Sequence, residues 1–253
     1  MRVVTRGAAL LAAAALCSMP LSAAHAQLTP EPVSGHFGDE SVRPNLAPGK
    51  GGGTTPPSLL ATVYDNTASG PNFGFSSTDL AAQWGDELFT LGTGLLSTHK
   101  FTIFNGGGSA GNLLTATVGV SFFDGVTSAP LGSYTTNINF GAGLPVGFFS
   151  IITVTGLDPL LILLNTTDVI EIQTVTAKTG PANRLGIASL NPVTVGSSPI
   201  AMFINASTVG PAGFYTINNP GPIPGNPGNQ IAVNSPPVGT VPSTWGRLKK
   251  LYR

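Results

Sequence analysis

Leu114-Thr115-Ala116-Thr117-Val118-Gly119-Val120-Ser121-Phe122 alternates apolar with small or polar residues along its whole length. In an extended chain, successive side chains point to opposite faces. Leu114, Ala116, Val118, Val120 and Phe122 therefore line one side, and Thr115, Thr117, Gly119 and Ser121 line the other. A helix would scatter the apolar set around its circumference, and threonine on the outer face suits a pleated sheet. The spacing predicts a half-buried strand over residues 113–124.

Outward from it the chain keeps this character. Strands are expected at 59–64, 87–91, 97–105, 135–140, 147–155, 157–164, 169–175, 184–189, 200–205, 214–217 and 230–233. Turn formers separate them, among them Asp124-Gly125, Gly141-Ala142-Gly143 and Asn191-Pro192. The run Leu160 to Leu164 is wholly apolar and reads as a strand covered on both faces. No window of twelve or more residues reads as an amphipathic helix. The expected fold is all-β: an antiparallel β-sandwich, jelly-roll-like, of about ten short strands.

Gly106 to Gly111 matches both a dinucleotide fingerprint and a Gly-x-Ser-x-Gly nucleophile elbow. Each of those needs a helix directly after the loop, and here the best strand in the chain follows. The loop is expected to be a glycine-rich hairpin between two paired strands.

The composition fits many short strands joined by tight turns: Gly 33, Pro 22 and only 9 % charged residues, against the usual quarter or so. Residues 58–234 carry eight carboxylates (Asp65, Asp79, Asp86, Glu87, Asp124, Asp158, Asp168, Glu171) against Lys100, Lys178 and Arg184. A net-negative body does not attract nucleic acid, whose binding rests on neutralising phosphates. Beyond the first 26 residues no apolar run approaches the ~20 residues of a spanning helix.

Residues 1–26 read as an export leader. Arg2 and Arg6 precede an apolar run over 8–17, and Ala24-His25-Ala26 offers a small-x-small cleavage site that leaves Gln27 first. Cys17 is the only cysteine, so the mature chain is expected to hold no disulfide or thiolate site. Residues 27–57 hold six prolines and six glycines and read as a linker, with His36 solvated inside it. Residues 58–234 form the expected sandwich domain.

Chemistry-bearing residues are sparse. His99 shares the inward side of its strand with Phe101 and Ile103 and reads as a hydrogen-bonded core histidine. A serine triad or a zinc site needs more histidine or cysteine than the mature chain has. Asp168 with Glu171, or Asp86 with Glu87, are the carboxylate pairs a glycosidase reading would nominate. No cofactor is expected unless calcium binds, for which Asp65, Asp86, Glu87 and Asp124, all near turns, are the candidates.

Three runs resemble secreted bacterial β-sandwich domains of the PEP-CTERM and choice-of-anchor class. These are Trp84-Gly85-Asp86-Glu87-Leu88-Phe89-Thr90-Leu91, then Phe101-Thr102-Ile103-Phe104, then Val120-Ser121-Phe122-Phe123-Asp124-Gly125 followed by Ala129-Pro130-Leu131-Gly132. Asn229-Gln230-Ile231-Ala232-Val233 is similar to the last strand of that class. The resemblance implies an exported, surface-displayed or matrix-associated domain without catalysis. It does not extend to that class's closing Pro-Glu-Pro step and apolar helix, since residues 241–245 read Val-Pro-Ser-Thr-Trp.

Residues 235–253 read as a second linker and a basic tail. On a helix Trp245, Leu248, Leu251 and Tyr252 share an arc of about 120°, with Lys249, Lys250 and Arg253 opposite and Arg247 adding charge. Such a tail is long enough to lie on an anionic surface and too short to span a bilayer. The function expected from the whole sequence is a non-catalytic structural or adhesive surface protein, attached through this tail to cell envelope, extracellular matrix or polysaccharide. The alternative is a carbohydrate-binding module, which requires Tyr64, Trp84, Tyr134 or Tyr215 exposed on one face; a glycoside hydrolase ranks below it.

Overall fold

The computed structural model describes residues 30–46, 60–199, 201–208, 210–218, 222–223 and 225–234. The leader with Ala24, Ala26 and Gln27, and the tail from Trp245 to Arg253, lie outside the described residues.

The described chain is an all-β sandwich. Its strands are β1 Gly35–Val42, β2 Leu60–Asp65, β3 Pro71–Ser77, β4 Gln83–Phe89, β5 Gly94–Asn105, β6 Leu113–Asp124, β7 Pro130–Leu144 and β8 Phe148–Thr155. They continue with β9 Leu163–Leu164, β10 Asp168–Thr179, β11 Leu185–Leu190, β12 Met202–Ala206, β13 Gly210–Tyr215, β14 Ile217–Asn218, β15 Pro222–Ile223 and β16 Asn229–Asn234. One sheet runs β1-β8-β5-β11-β3, with β16 and β9 also on β5 and β2 on β16; the other runs β13-β12-β4-β10-β6-β7.

The core lies between the sheets. Leu96, Phe101, Ile103, Ile152, Val154 and Ile231 from the first sheet meet Leu88, Val118, Val120, Phe122, Ile138 and Val169 from the second, all nearly or wholly buried. Each such side chain contributes roughly 1.5–3 kcal/mol of burial, so the sandwich holds together through its inner faces. β6 behaves as its alternation requires from Ala116 to Phe122. At its start the register against β7 shifts between Leu113 and Thr115; Leu113 is buried and Leu114, expected inside, is exposed.

The structure departs from the sequence reading in four further places. Residues 30–46, expected to be linker, belong to the sandwich: β1 pairs in parallel with β8, and Pro44 bridges to Thr136 of β7. The prolines flank β1 without interrupting it, and Phe37 and Val42 supply the apolar contacts that hold it to the core. His36 is half exposed, stacked on Phe149 with its Nε2 3.0 Å from Asp39 Oδ1. β3, centred on Phe73-Gly74-Phe75, was not anticipated.

The expected strand over 157–164 is a 3-10 turn, Asp158–Leu160, followed by the two-residue β9. Leu161 takes a left-handed conformation with φ 54° after Pro159 and is exposed, as is Leu163. An apolar run alone does not set a strand when a proline starts a turn inside it. The Gly106–Gly111 loop is not a hairpin, because β5 and β6 lie in different sheets; it is an arch carrying the chain across the sandwich.

Candidate functional site

The strands alternate, so neighbouring residues face opposite ways, and this decides where every acidic residue goes. Asp86 and Glu87 are consecutive on β4, and Asp168 and Glu171 lie an odd number of positions apart on β10. Neither pair nominated for glycosidic chemistry can share a face. The structure re-pairs them across strands instead. Asp86 stands opposite Glu171 in the β4–β10 ladder, both wholly buried, while Glu87 meets Asp168 on the outer side.

The inner pair belongs to a polar network that ties the two sheets. His99 on β5 lies with Nδ1 2.6 Å from the Tyr134 hydroxyl of β7 and Nε2 2.8 Å from Asn229 Oδ1 of β16. An amide oxygen only accepts, so Nε2 carries the proton and Nδ1 accepts from Tyr134. Asn229 Nδ2 donates to Glu171 Oε2 at 3.3 Å, and the Asn229 backbone N–H donates to Asn66 Oδ1 at 2.6 Å. Asn66 Nδ2 in turn donates to the carbonyls of Leu190 and Pro227. Asp86 Oδ1 accepts from the Glu87 N–H at 2.9 Å and from the Ser198 hydroxyl at 2.8 Å.

Burial sets the charge state of this network. Loss of water lowers the His99 pKa to about 4, with the Asn229 hydrogen bond opposing, so the imidazole is neutral at pH 7. Burial raises Glu171 to about 8, again against the Asn229 bond. Asp86 is raised well above the usual carboxylate range by burial, despite its bonds from Ser198 and Glu87, and Glu171 beside it adds to the rise. Tyr134 is raised by burial.

The calcium candidates do not gather. Asp65 Oδ1 holds the N–H and hydroxyl of Thr67, and its Oδ2 takes Gln230 Nε2 at 2.7 Å. Asp124 Oδ1 accepts from the N–H groups of Val126 and Thr127, which cap its turn and hold its carboxyl below the ordinary range. Glu87 and Asp168 are both raised, first by desolvation and then by the neighbouring carboxylates. Among the described residues no group of three or more His, Cys, Asp or Glu side chains is arranged to hold a metal.

The aromatic platform of the carbohydrate reading is not on the surface. Tyr64, Trp84, Tyr134 and Tyr215 are each at most 5 % exposed. His99, by contrast, sits where the inward alternation with Phe101 and Ile103 placed it. Its partners Tyr134 and Asn229 lie 35 and 130 residues away, and Asn66, which Asn229 engages in turn, lies 163 residues from Asn229, so no local pattern could have grouped them. The one local trace was the parity of Glu171, a carboxylate on the same face as Val169.

The class that the fold and this interior define is a two-sheet β-sandwich with a hydrogen-bonded acidic core. Comparison with family models, with curated proteins and with solved structures gave no match. No helix among the described residues is long and apolar enough to cross a membrane.

Proposed function

We propose that this chain is an exported, non-catalytic structural or adhesive β-sandwich protein, displayed at the cell surface or in an extracellular matrix and attached through its basic C-terminal tail. The observation that carries the proposal is the placement of the reactive side chains. His99, Asp86 and Glu171 are all wholly buried, where they join strands and cannot meet a substrate in solution. Catalytic groups need reach to the proton they move, whereas a passive domain needs only a rigid body and a surface.

The outer face of β6, β7 and β10 offers such a surface. Thr115 and Thr179 hydroxyls lie 2.6 Å apart across strands, and the Thr117 hydroxyl donates to Asn137 Oδ1 at 2.9 Å. Neutral hydroxyls and amides in rows favour contact with polysaccharide or protein without chemistry. Export rests on the leader at residues 1–26, and display on the resemblance to the PEP-CTERM and choice-of-anchor class and on the tail.

Expression of the full chain in an export-competent bacterial host tests the proposal. The mature protein should begin at Gln27 outside the cytoplasm, and deletion of residues 245–253 should move it from cells to medium. Retention in the cytoplasm with the leader intact removes the export proposal. Unchanged cell association after the deletion removes attachment through the tail.

A further inference from the structure

We propose that Asp86 and Glu171, with the Tyr64 hydroxyl, form a buried binding site for a hard divalent cation, calcium before others. Two carboxylate oxygens in this part of the core, Asp86 Oδ2 and Glu171 Oε1, have no hydrogen-bond partner, and the Tyr64 hydroxyl beside them has none but the Ser198 side chain. All three residues are 0 % exposed. Buried polar groups are nearly always satisfied, so two orphaned carboxylate oxygens in one place call for a partner outside the chain.

Groups from both sheets meet here. Asp86 and Glu171 are register partners on adjacent strands β4 and β10 of one sheet, and Tyr64 comes from β2 of the other. Asp86 and Glu171 both act electrostatically on the Tyr64 hydroxyl, and Ser198 lies beside it. A Cβ on Gly196 would stand 3.0 Å from the Tyr64 ring, which places the residues just before Ser198 over the same spot. The Ser198 hydroxyl is 2.8 Å from Asp86 Oδ1 and 3.2 Å from Asn226 Oδ1. The surroundings are thus two carboxylates, two hydroxyls and an amide oxygen.

Charge favours a cation. Two carboxylates in a dry interior are costly unless neutralised, and among the described residues neither has a salt-bridge partner; the pairs found are His36 with Asp39 and Arg184 with Glu31. One divalent ion neutralises both carboxylates at once. An all-oxygen donor set suits calcium, which takes six to eight oxygens in flexible geometry, and does not suit zinc or copper, which prefer nitrogen and sulfur. The neighbouring nitrogen ligand, His99, is occupied on both ring atoms. The segment over 194–199 runs beside these groups, held by bridges from Val195 to Asp65 and from Ser197 to Phe89.

The test uses the full-length mature protein, stripped with EDTA and returned to calcium-free buffer near neutral pH. Calorimetric titration with calcium chloride, and elemental analysis after gel filtration, should give one calcium per chain. About 1 mM calcium should raise the Tm by several degrees, and equal magnesium should do far less. Glu171→Gln and Asp86→Asn should each abolish the calcium response, and Tyr64→Phe, which keeps the ring, should keep the fold and weaken binding by about tenfold. The proposal is overturned if the wild type takes up no calcium while its Tm ignores EDTA and falls as pH rises from about 6 to 9, the behaviour of carboxyls satisfied by protons. Calcium uptake that survives both carboxylate substitutions overturns it equally. The wild-type measurements decide without the variants, so a substitution that fails to fold does not blunt the result.

Discussion

At the scale of single residues, His99 is the group whose chemistry is most changed by folding. Its pKa falls from 6.5 to about 4 in the core, so the unfolded chain takes up a proton that the folded chain refuses. The resulting stability is fully present above pH 6.5 and is lost as pH falls toward 4, a loss on the order of 3 kcal/mol. The raised carboxyls Asp86 and Glu171 slope the other way, so the quantity to measure is a difference. Urea unfolding of wild type and His99→Phe, both in EDTA at about pH 7 and pH 4, should show the wild type losing that much more than the variant on acidification. Equal losses would show that the histidine is not held neutral.

Gly119 is the opposite kind of residue. It stands on the outer face of β6, where a Cβ would meet nothing closer than Thr176 Cγ2 at 3.9 Å and Thr135 Cγ2 at 4.0 Å. Gly119→Thr should stabilise by roughly 0.5–1 kcal/mol, by removing glycine's entropy cost and adding cross-strand methyl contacts; the Tm reads it directly. The inward direction of His99 and the outward direction of Gly119 were both legible from period two. The partners of His99 were not, because they arrive from strands far along the chain.

At the scale of elements, Gly186 shows what a central strand demands. It lies on β11 between β3 and β5, and a Cβ there would stand 1.7 Å from the Phe75 carbonyl oxygen and 2.7 Å from the Phe75 carbonyl carbon. Neighbouring backbone cannot yield as a flexible side chain can. Gly186→Ala should therefore cost at least about 2 kcal/mol or prevent folding, and a Tm within two degrees of wild type would contradict that.

β1 is the other element with a clear consequence. Before it, Glu31 accepts from Arg184 Nη2 at 2.9 Å and from the Gly107 N–H at 2.8 Å, and it also takes the Ser76 hydroxyl. One carboxylate thus fastens the strap to β3, to the residue just before β11 and to the arch. Deleting residues 30–45 would bare the β8 edge and the core surface under Phe37 and Val42. The truncated protein should lose stability and self-associate, which light scattering after size exclusion would detect; a monomer of unchanged Tm would contradict it. β6 was readable because it alternates cleanly over many residues. β1 was not, since its prolines and glycines resemble a linker until β8 supplies the missing hydrogen bonds.

At the scale of the whole molecule, the sandwich closes through strands remote in sequence. β16, the last strand described, lies between β2 and β5, and it brings Asn229 to His99 and Glu171. β2 has no other strand partner in its sheet. A chain truncated after Gly228 should lose β2 along with β16 and should melt without a single cooperative transition in calorimetry. Retention of a sharp transition would mean that β2 holds to the sandwich without β16. Pairings of this span also make folding slow compared with helical proteins of the same length, because loop closure precedes the contacts that repay it.

By itself the sequence determined that this chain is β-built, that turns punctuate its strands, and that His99 faces inward, since side-chain alternation and turn chemistry are local properties of a few residues. Only the tertiary structure decided that residues 30–46 join the sandwich, that β5 and β6 belong to different sheets, and that Asp86 meets Glu171. Those outcomes depend on which strands lie side by side, and backbone hydrogen bonds between strands are the same for every sequence. The choice among them is made by burial summed over the whole core.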